Sequence, residues 1–112
     1  MRNKYGNKKT VIDGITFDSM KEAARYGELK VLVKKGEIKG LILQPKFPIV
    51  IDGQKICTYI GDFQYDEWRN VGKSSTRLEH RVIEDVKGVR TPIYRLKKKL
   101  VKAIFNVEIR EI

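Results

Sequence analysis

The chain has 112 residues, enough for one domain with a modest core, and 41% of them are hydrophobic. It has 24 lysines and arginines against 14 aspartates and glutamates, a net charge of +10. This excess favours nucleic acid as the partner, with a ribosome-associated or simply soluble basic protein as the alternative. The lone cysteine excludes an internal disulfide, and the sequence has neither a membrane-spanning apolar run nor a secretory signal pattern. We therefore expect one cytoplasmic domain over residues 1–112.

The first nine residues form a basic arm that we expect to bind DNA phosphates. It has no acid, and its cations are Arg2, Lys4, Lys8 and Lys9. Residues 10–18 then place Asp13-Gly14 between β-branched residues, a pattern typical of a β-hairpin with a two-residue turn.

The next segment is predicted to be a helix from Ser19 to about Lys35. Ser19 and Glu22 have the spacing of a capping box, which alone explains why an acid stands at position 22. Glu22 also shares one helical face with Tyr26, Leu29 and Val33, so the same face directs it towards the buried side. Both a capping role and a functional role therefore fit Glu22.

Three strands are expected after this helix, over residues 41–51, 55–66 and 81–87. Two prolines in the first of them predict a bent or edge strand. Polar residues and glycine predict a mobile loop over residues 67–80.

A second helix is predicted to begin at Thr91-Pro92, a cap followed by a first-turn proline. We expect its buried stripe to consist of Ile93, Leu96, Leu100 and Ile104. Its other faces are basic, and four of their cations are expected to bind the DNA backbone: Arg95, Lys98, Lys99 and Lys102. A short last strand around Val107 and Ile109 completes the order α-β-β-β-α-β after the hairpin.

The composition restricts the possible chemistry. With one histidine and one cysteine, the chain cannot assemble a Cys/His zinc site, and it has no phosphate-binding loop motif. Any catalytic groups are therefore carboxylates and lysines, and hard oxygen ligands of this kind select Mg²⁺ or Mn²⁺.

Two acids stand out in apolar strands. Alternation along the strand places Asp62 on a face with Ile56 and Ile60. A charge on such an apolar face is costly, and a bound metal ion would compensate it. The alternative is an acid that lies at the strand end and is exposed to water. In the third strand Asp85 and Lys87 share a face, whereas Glu84 lies on the other. A carboxylate that holds a metal beside an ammonium that positions water fits this pair, and so does a surface ion pair.

The element order and the acid pattern resemble the PD-(D/E)xK nuclease superfamily. Its core is α-β-β-β-α-β, with an aspartate at the second strand, an acid-x-Lys on the third and a frequent glutamate on the first helix. A more specific resemblance, over nearly the whole chain, is to small phage proteins grouped with Holliday-junction resolvases of the endonuclease I type. The segments that carry it are Tyr5-Gly6-Asn7-Lys8-Lys9-Thr10, Leu43-Gln44-Pro45-Lys46-Phe47, Asp62-Phe63 and Glu84-Asp85-Val86-Lys87-Gly88. One departure is that glycine, not proline, precedes Asp62.

The resemblance implies an α/β fold, with a mixed central sheet flanked by two helices and preceded by the hairpin. It implies Mg²⁺ held by Asp62, Asp85, the Val86 carbonyl and Glu22, with Lys87 orienting the attacking water. It further implies an endonuclease of branched DNA such as Holliday junctions, acting as a homodimer because cutting two strands requires two active sites. The alternatives are a non-catalytic DNA-binding accessory protein and a general duplex or single-strand nuclease.

Overall fold

The computed structural model describes residues 9–70, 77–86 and 90–112. It divides into two compact units, residues 1–37 and residues 38–112, and each is described by itself. The protein is α/β, with a mixed sheet, two helices and an N-terminal hairpin. Neither helix in the described part is long and apolar enough to cross a membrane.

The first unit contains the hairpin β1 (Thr10–Ile12) and β2 (Ile15–Phe17), followed by helix α1 (Met20–Lys34). Asp13 and Gly14 have φ angles of 53° and 75°, which confirms the predicted two-residue turn. Asp13 also accepts hydrogen bonds from Tyr26 at 3.2 Å and Lys30 at 2.6 Å, and the Lys30 ammonium lowers the pKa of Asp13. These hydrogen bonds connect the turn of the hairpin to helix α1.

Helix α1 begins and ends where the sequence predicted. The Ser19 side chain accepts a hydrogen bond from the Glu22 N–H at 3.1 Å, which confirms Ser19 as the cap. Glu22 and Leu29 are buried as expected, but Val33 is exposed. The apolar face is therefore shorter than predicted at its C-terminal end.

The second unit contains five strands between residues 38 and 85, where three were expected. They are β3 (Ile38–Leu43), β4 (Lys46–Ile51), β5 (Gln54–Ile60), β6 (Phe63–Asn70) and β7 (Arg77–Asp85). The predicted strands 41–51 and 55–66 are each divided in two by a bend. The two bends lie opposite each other, so that β3 pairs with β6 on one side of them and β4 pairs with β5 on the other. Gln44 has a φ of 51°, and its N–H donates to the Asp62 carbonyl at 3.0 Å across the bend.

The prediction of a loop over residues 67–80 was wrong at both ends. Strand β6 continues to Asn70 and β7 begins at Arg77, so eight pairs of residues face each other from Phe63–Glu84 to Asn70–Arg77. Residues 71–76 lie outside the described part. The strand predicted for residues 81–87 likewise begins earlier, at Arg77, and ends at Asp85.

The larger sheet has the strand order β3-β6-β7-β8, where β8 is Glu108–Glu111. Strands β7 and β8 are parallel and the other neighbours antiparallel, which confirms the expected mixed sheet. Strands β4 and β5 form a separate two-stranded sheet.

Helix α2 (Pro92–Phe105) begins at the predicted cap, where the Thr91 side chain accepts from the Tyr94 N–H at 3.1 Å. The predicted buried stripe was wrong, because Ile93 is 67% exposed and Leu96 59% exposed. The helix instead turns Tyr94 and Val101 inward. These two side chains complete a core with the following residues: Phe47, Ile49, Tyr59, Ile83 and Ile109.

Candidate active site and basic surface

Asp62 lies in the bend between β5 and β6, not on an apolar strand face as predicted. Its backbone N–H donates to the Glu84 carbonyl at 3.0 Å, and its Oδ2 accepts from the Val86 N–H at 2.6 Å. These two hydrogen bonds tie Asp62 to the residues immediately before and after Asp85. The structure therefore brings the two predicted acids to adjoining chain segments at the end of β7.

Asp85 is the more deeply buried of the two acids, with 0% of its surface exposed. Its Oδ2 accepts a hydrogen bond from the Tyr59 hydroxyl, and the Tyr59 ring is itself buried. Burial raises the pKa of Tyr59, and the hydrogen bond to the carboxylate raises it further. Tyr59 consequently stays protonated and acts as a donor that offsets part of the cost of burying the Asp85 carboxylate.

Glu84 and Asp85 point to opposite faces of β7, as the alternation predicted. The Glu84 carboxylate accepts from the Tyr65 hydroxyl and is also 0% exposed. On that face Arg110 of β8 donates to both oxygens of Glu67, at 3.0 and 3.2 Å. The sequence analysis placed Glu84 on this face but did not predict that it is buried or that it accepts a hydrogen bond from Tyr65 of the neighbouring strand.

The other predicted site residues have separate locations. Glu22 is buried in the first unit, where it follows the helix cap. Lys87 lies outside the described residues, as do Arg2, Lys4 and Lys8. Lys9 is exposed. Of the predicted set, the described part thus brings together Asp62, Asp85 and Val86.

A basic surface covers one side of α2. A cavity of about 350 Å³ is lined by the four predicted DNA-binding residues of the helix and by Arg90, Tyr94 and Glu111. The Glu111 carboxylate accepts from Lys98 at 2.8 Å, from Tyr94 at 3.3 Å and from Arg90. Hydrogen bonds from Lys98 and Arg90 lower the pKa of Glu111 to about 2. The cavity therefore already holds one anionic group between cations.

The carboxylates of this site are candidate ligands for a metal ion. Within residues 9–70, 77–86 and 90–112, no three His, Cys, Asp or Glu side chains are grouped closely enough to hold a metal ion. Asp62 and Asp85 nevertheless supply carboxylate oxygens on adjoining segments, and Val86, the residue after Asp85, donates its N–H to Asp62 Oδ2. Oxygen donors of this type fit Mg²⁺, which usually takes one or two carboxylates and keeps waters or a substrate phosphate as its other ligands.

The family model described as "Protein of unknown function (DUF1064)" matches residues 2–111 of the chain. The chain belongs to the DUF1064 family. No curated protein and no solved structure matches the chain. Membership of DUF1064 assigns no activity to the chain.

Proposed function

We propose that this DUF1064 protein is a metal-dependent DNA endonuclease of the PD-(D/E)xK type. The observation that carries the proposal is a pair of hydrogen bonds on either side of Asp85. The Asp62 N–H donates to the Glu84 carbonyl, and the Asp62 Oδ2 accepts from the Val86 N–H. Two acids that lie 23 positions apart in sequence are thereby brought to one end of β7. A protein that only bound DNA would gain nothing from two carboxylates brought together, because carboxylates repel phosphate.

The residues of this chain would have distinct roles in hydrolysis of a phosphodiester. Asp62, Asp85 and the Val86 carbonyl would hold Mg²⁺, and Glu22 and Lys87 are assigned by the resemblance to the metal shell and to the attacking water. When bound, the ion would polarise the phosphate and lower the pKa of a water molecule. The Tyr59 hydroxyl would fix the orientation of the Asp85 carboxylate.

The basic surface of α2 supports DNA as the substrate. Its exposed cations, Arg95, Lys99 and Lys102, share a cavity that already binds the Glu111 carboxylate, so its donors fit an oxyanion. Side chains of this kind bind the backbone irrespective of sequence. We expect affinity to fall steeply with salt, and removal of residues 1–9 to reduce the slope of log K against log salt. An unchanged slope would show that this arm does not bind DNA.

The decisive experiment is a plasmid-nicking assay with purified protein, with and without Mg²⁺. Cleavage should require Mg²⁺ or Mn²⁺ and stop in EDTA, whereas Ca²⁺ should support binding with little turnover. Asp62→Asn should abolish cleavage and preserve folding, because an amide oxygen can still accept from the Val86 N–H. Asp85→Asn and Lys87→Ala should also be inactive.

Asp52→Asn is the matched control, since it makes the same chemical change at an exposed turn residue with a φ of 52°. It should cleave at the parental rate. Activity in EDTA, or parental activity of Asp62→Asn, would refute the proposed mechanism. DNA binding without cleavage by the parental protein would instead favour the non-catalytic accessory protein.

The proposal extends to branched DNA and to a homodimer. The chain is short and carries its cations on a backbone-binding surface, which suits a reader of DNA shape more than of sequence. A synthetic four-way junction should therefore compete better than a duplex of the same arm sequence, for binding in Ca²⁺ and for cutting in Mg²⁺. Equal affinities and rates on both would leave a general nuclease.

A further inference from the structure

A cavity of about 270 Å³ lies between strand β5 and the first turns of helix α2. The rings of Tyr59 and Tyr94 form its floor, since both side chains are almost fully buried. Ile60 and Ile93 form its sides, and both are exposed. Pockets for drug-sized ligands have volumes of roughly 300–1,000 Å³. This smaller cavity therefore fits a single ring system better than a larger ligand.

The cavity also offers hydrogen-bond donors. The Lys97 ammonium donates to the Thr58 carbonyl at 3.2 Å, which uses one of its three N–H groups and holds it at the cavity. The Thr91 hydroxyl oxygen accepts from the Tyr94 N–H at 3.1 Å, so the O–H of Thr91 keeps its capacity to donate. Every nucleobase has an apolar ring face and edge atoms that accept hydrogen bonds. Apolar sides combined with donors thus suit a base.

The neighbours of the cavity indicate which ring system would reach it. Tyr94 lines both this cavity and the basic cavity of about 350 Å³, so the two cavities adjoin at this side chain. On the other side, the Tyr59 hydroxyl donates to Asp85 of the candidate active site. A nucleotide joins an anionic phosphate to an uncharged ring, and the two adjoining cavities have the matching chemistry.

We infer that this cavity takes one unpaired or extruded nucleobase of a DNA strand whose phosphates lie on the basic surface of α2. The inference rests on the proposed function in that DNA is the partner. Moving a base out of the helical stack costs least where that base is already unpaired or mismatched. The cavity would therefore favour branched or distorted DNA over paired duplex, without reading the sequence in a groove.

The test is a binding measurement in Ca²⁺, by fluorescence anisotropy, with two duplexes of the same sequence. One carries a single unpaired adenine, and the other carries an abasic residue at that position. Because both have the same phosphates, the ratio of their affinities reports the base alone. The parental protein should bind the adenine duplex about tenfold more tightly. This ratio should stay constant as salt rises, although both affinities fall.

Ile93→Ala should reduce this preference for adenine to about threefold or less, because it removes one side of the cavity. Leu96→Ala is the matched control on the same helix. Leu96 is 59% exposed, close to the 67% of Ile93, but it does not line the cavity. The control should keep the parental preference. Ile60→Ala tests the opposite side of the cavity and should act like Ile93→Ala.

A parental protein that binds both duplexes equally would overturn the inference, as would a preference that neither Ile93→Ala nor Ile60→Ala reduces. Equal affinities that fall together in Lys97→Gln would overturn it in favour of a backbone phosphate in the cavity. A preference for adenine without nicking in Mg²⁺ would support this inference while the proposed nuclease fails. Nicking in Mg²⁺ without the preference would overturn this inference alone.

Discussion

Replacement of Tyr59 by phenylalanine tests how the Asp85 carboxylate is held. Tyr59 is 2% exposed and its hydroxyl donates to Asp85, which has no exposed surface. Phenylalanine keeps the ring and its neighbours, Phe47 and Tyr94, whose ring centroids lie 6.3 and 6.4 Å away. The loss is therefore confined to one hydrogen bond to a buried charged group, which is worth about 1.5–3 kcal/mol.

Urea unfolding should show this loss directly. A reduction of about 2 kcal/mol is a large part of the roughly 5–15 kcal/mol typical of a domain, and corresponds to a fall in Tm on the order of 10 °C. The matched control is Tyr94→Phe, which removes a 3.3 Å bond to Glu111, a carboxylate also held by Lys98. We expect the control to lose less than about 1 kcal/mol.

A double-mutant cycle then assigns the effect to the pair. Tyr59→Phe and Asp85→Ala should be coupled by about 1 kcal/mol or more, since each removes the same interaction. Two results would show that this hydrogen bond does not hold Asp85. One is that the effects of the two changes on the free energy of unfolding simply add, and the other is that the free energy of unfolding of Tyr59→Phe lies within about 0.5 kcal/mol of the parental value. For the proposed nuclease, Tyr59→Phe should also slow cleavage at temperatures where the variant is fully folded, whereas Tyr94→Phe should not.

Three further outcomes are expected. Gly61→Ala should destabilise the fold by about 1–3 kcal/mol in urea unfolding, because an added Cβ would lie 2.7 Å from Ile83 Cγ2. The same change at Gly27, where an added Cβ would have no atom within 4 Å, should stabilise helix α1 by about 0.5–1 kcal/mol. Equal effects at the two glycines would contradict this reasoning. Glu111→Gln should tighten DNA binding and steepen the salt slope by up to about 2, since it releases two cations for phosphates; an unchanged slope would rule this out. The pKa of Glu111 is lowered from 4.5 to about 2, so its contribution to stability is present above pH 4.5 and is lost as the pH falls towards 2. Over this range the free energy of unfolding should therefore fall less steeply with decreasing pH in Glu111→Gln than in the parental protein.

The local signals in the sequence predicted local structure well. Ser19 and Thr91 cap the two helices, and Asp13-Gly14 forms the tight turn. Each of these features depends on backbone groups within three residues of the signal, so no knowledge of the tertiary fold is needed.

The orientation of α2 could not be read in the same way. The helix carries one apolar set at Ile93, Leu96, Leu100 and Ile104 and another that includes Tyr94 and Val101. Periodicity describes both sets equally, so it does not by itself show which set faces the core. The core instead takes Tyr94 and Val101, which pack with Tyr59 of β5 and Ile109 of β8, and those partners are distant in sequence.

The structure brings together Asp62, Asp85 and Val86 of the predicted site, and the sequence predicted only part of how they are held. Alternation correctly separated Asp85 from Glu84, because that rule requires only a continuous strand. Tyr59 and Glu111 were missed, since their partners come from other elements. A signal for Glu111 was present: parallel pairing of Ile83 with Ile109 places Asp85 opposite Glu111, two residues farther along each strand.

The bend explains why glycine rather than proline precedes Asp62. The Gly61 N–H donates to the Pro45 carbonyl at 3.0 Å, a hydrogen bond that proline cannot make. Gly61 is also buried so closely against Ile83 that no side chain fits without displacement. Both requirements arise because the two arms of the long hairpin change direction together at this level. With Gly61 in place, the next residue can donate its N–H to Glu84 and direct its carboxylate to Val86. The residue that departs from the superfamily pattern therefore supports the position of the acid that matches it.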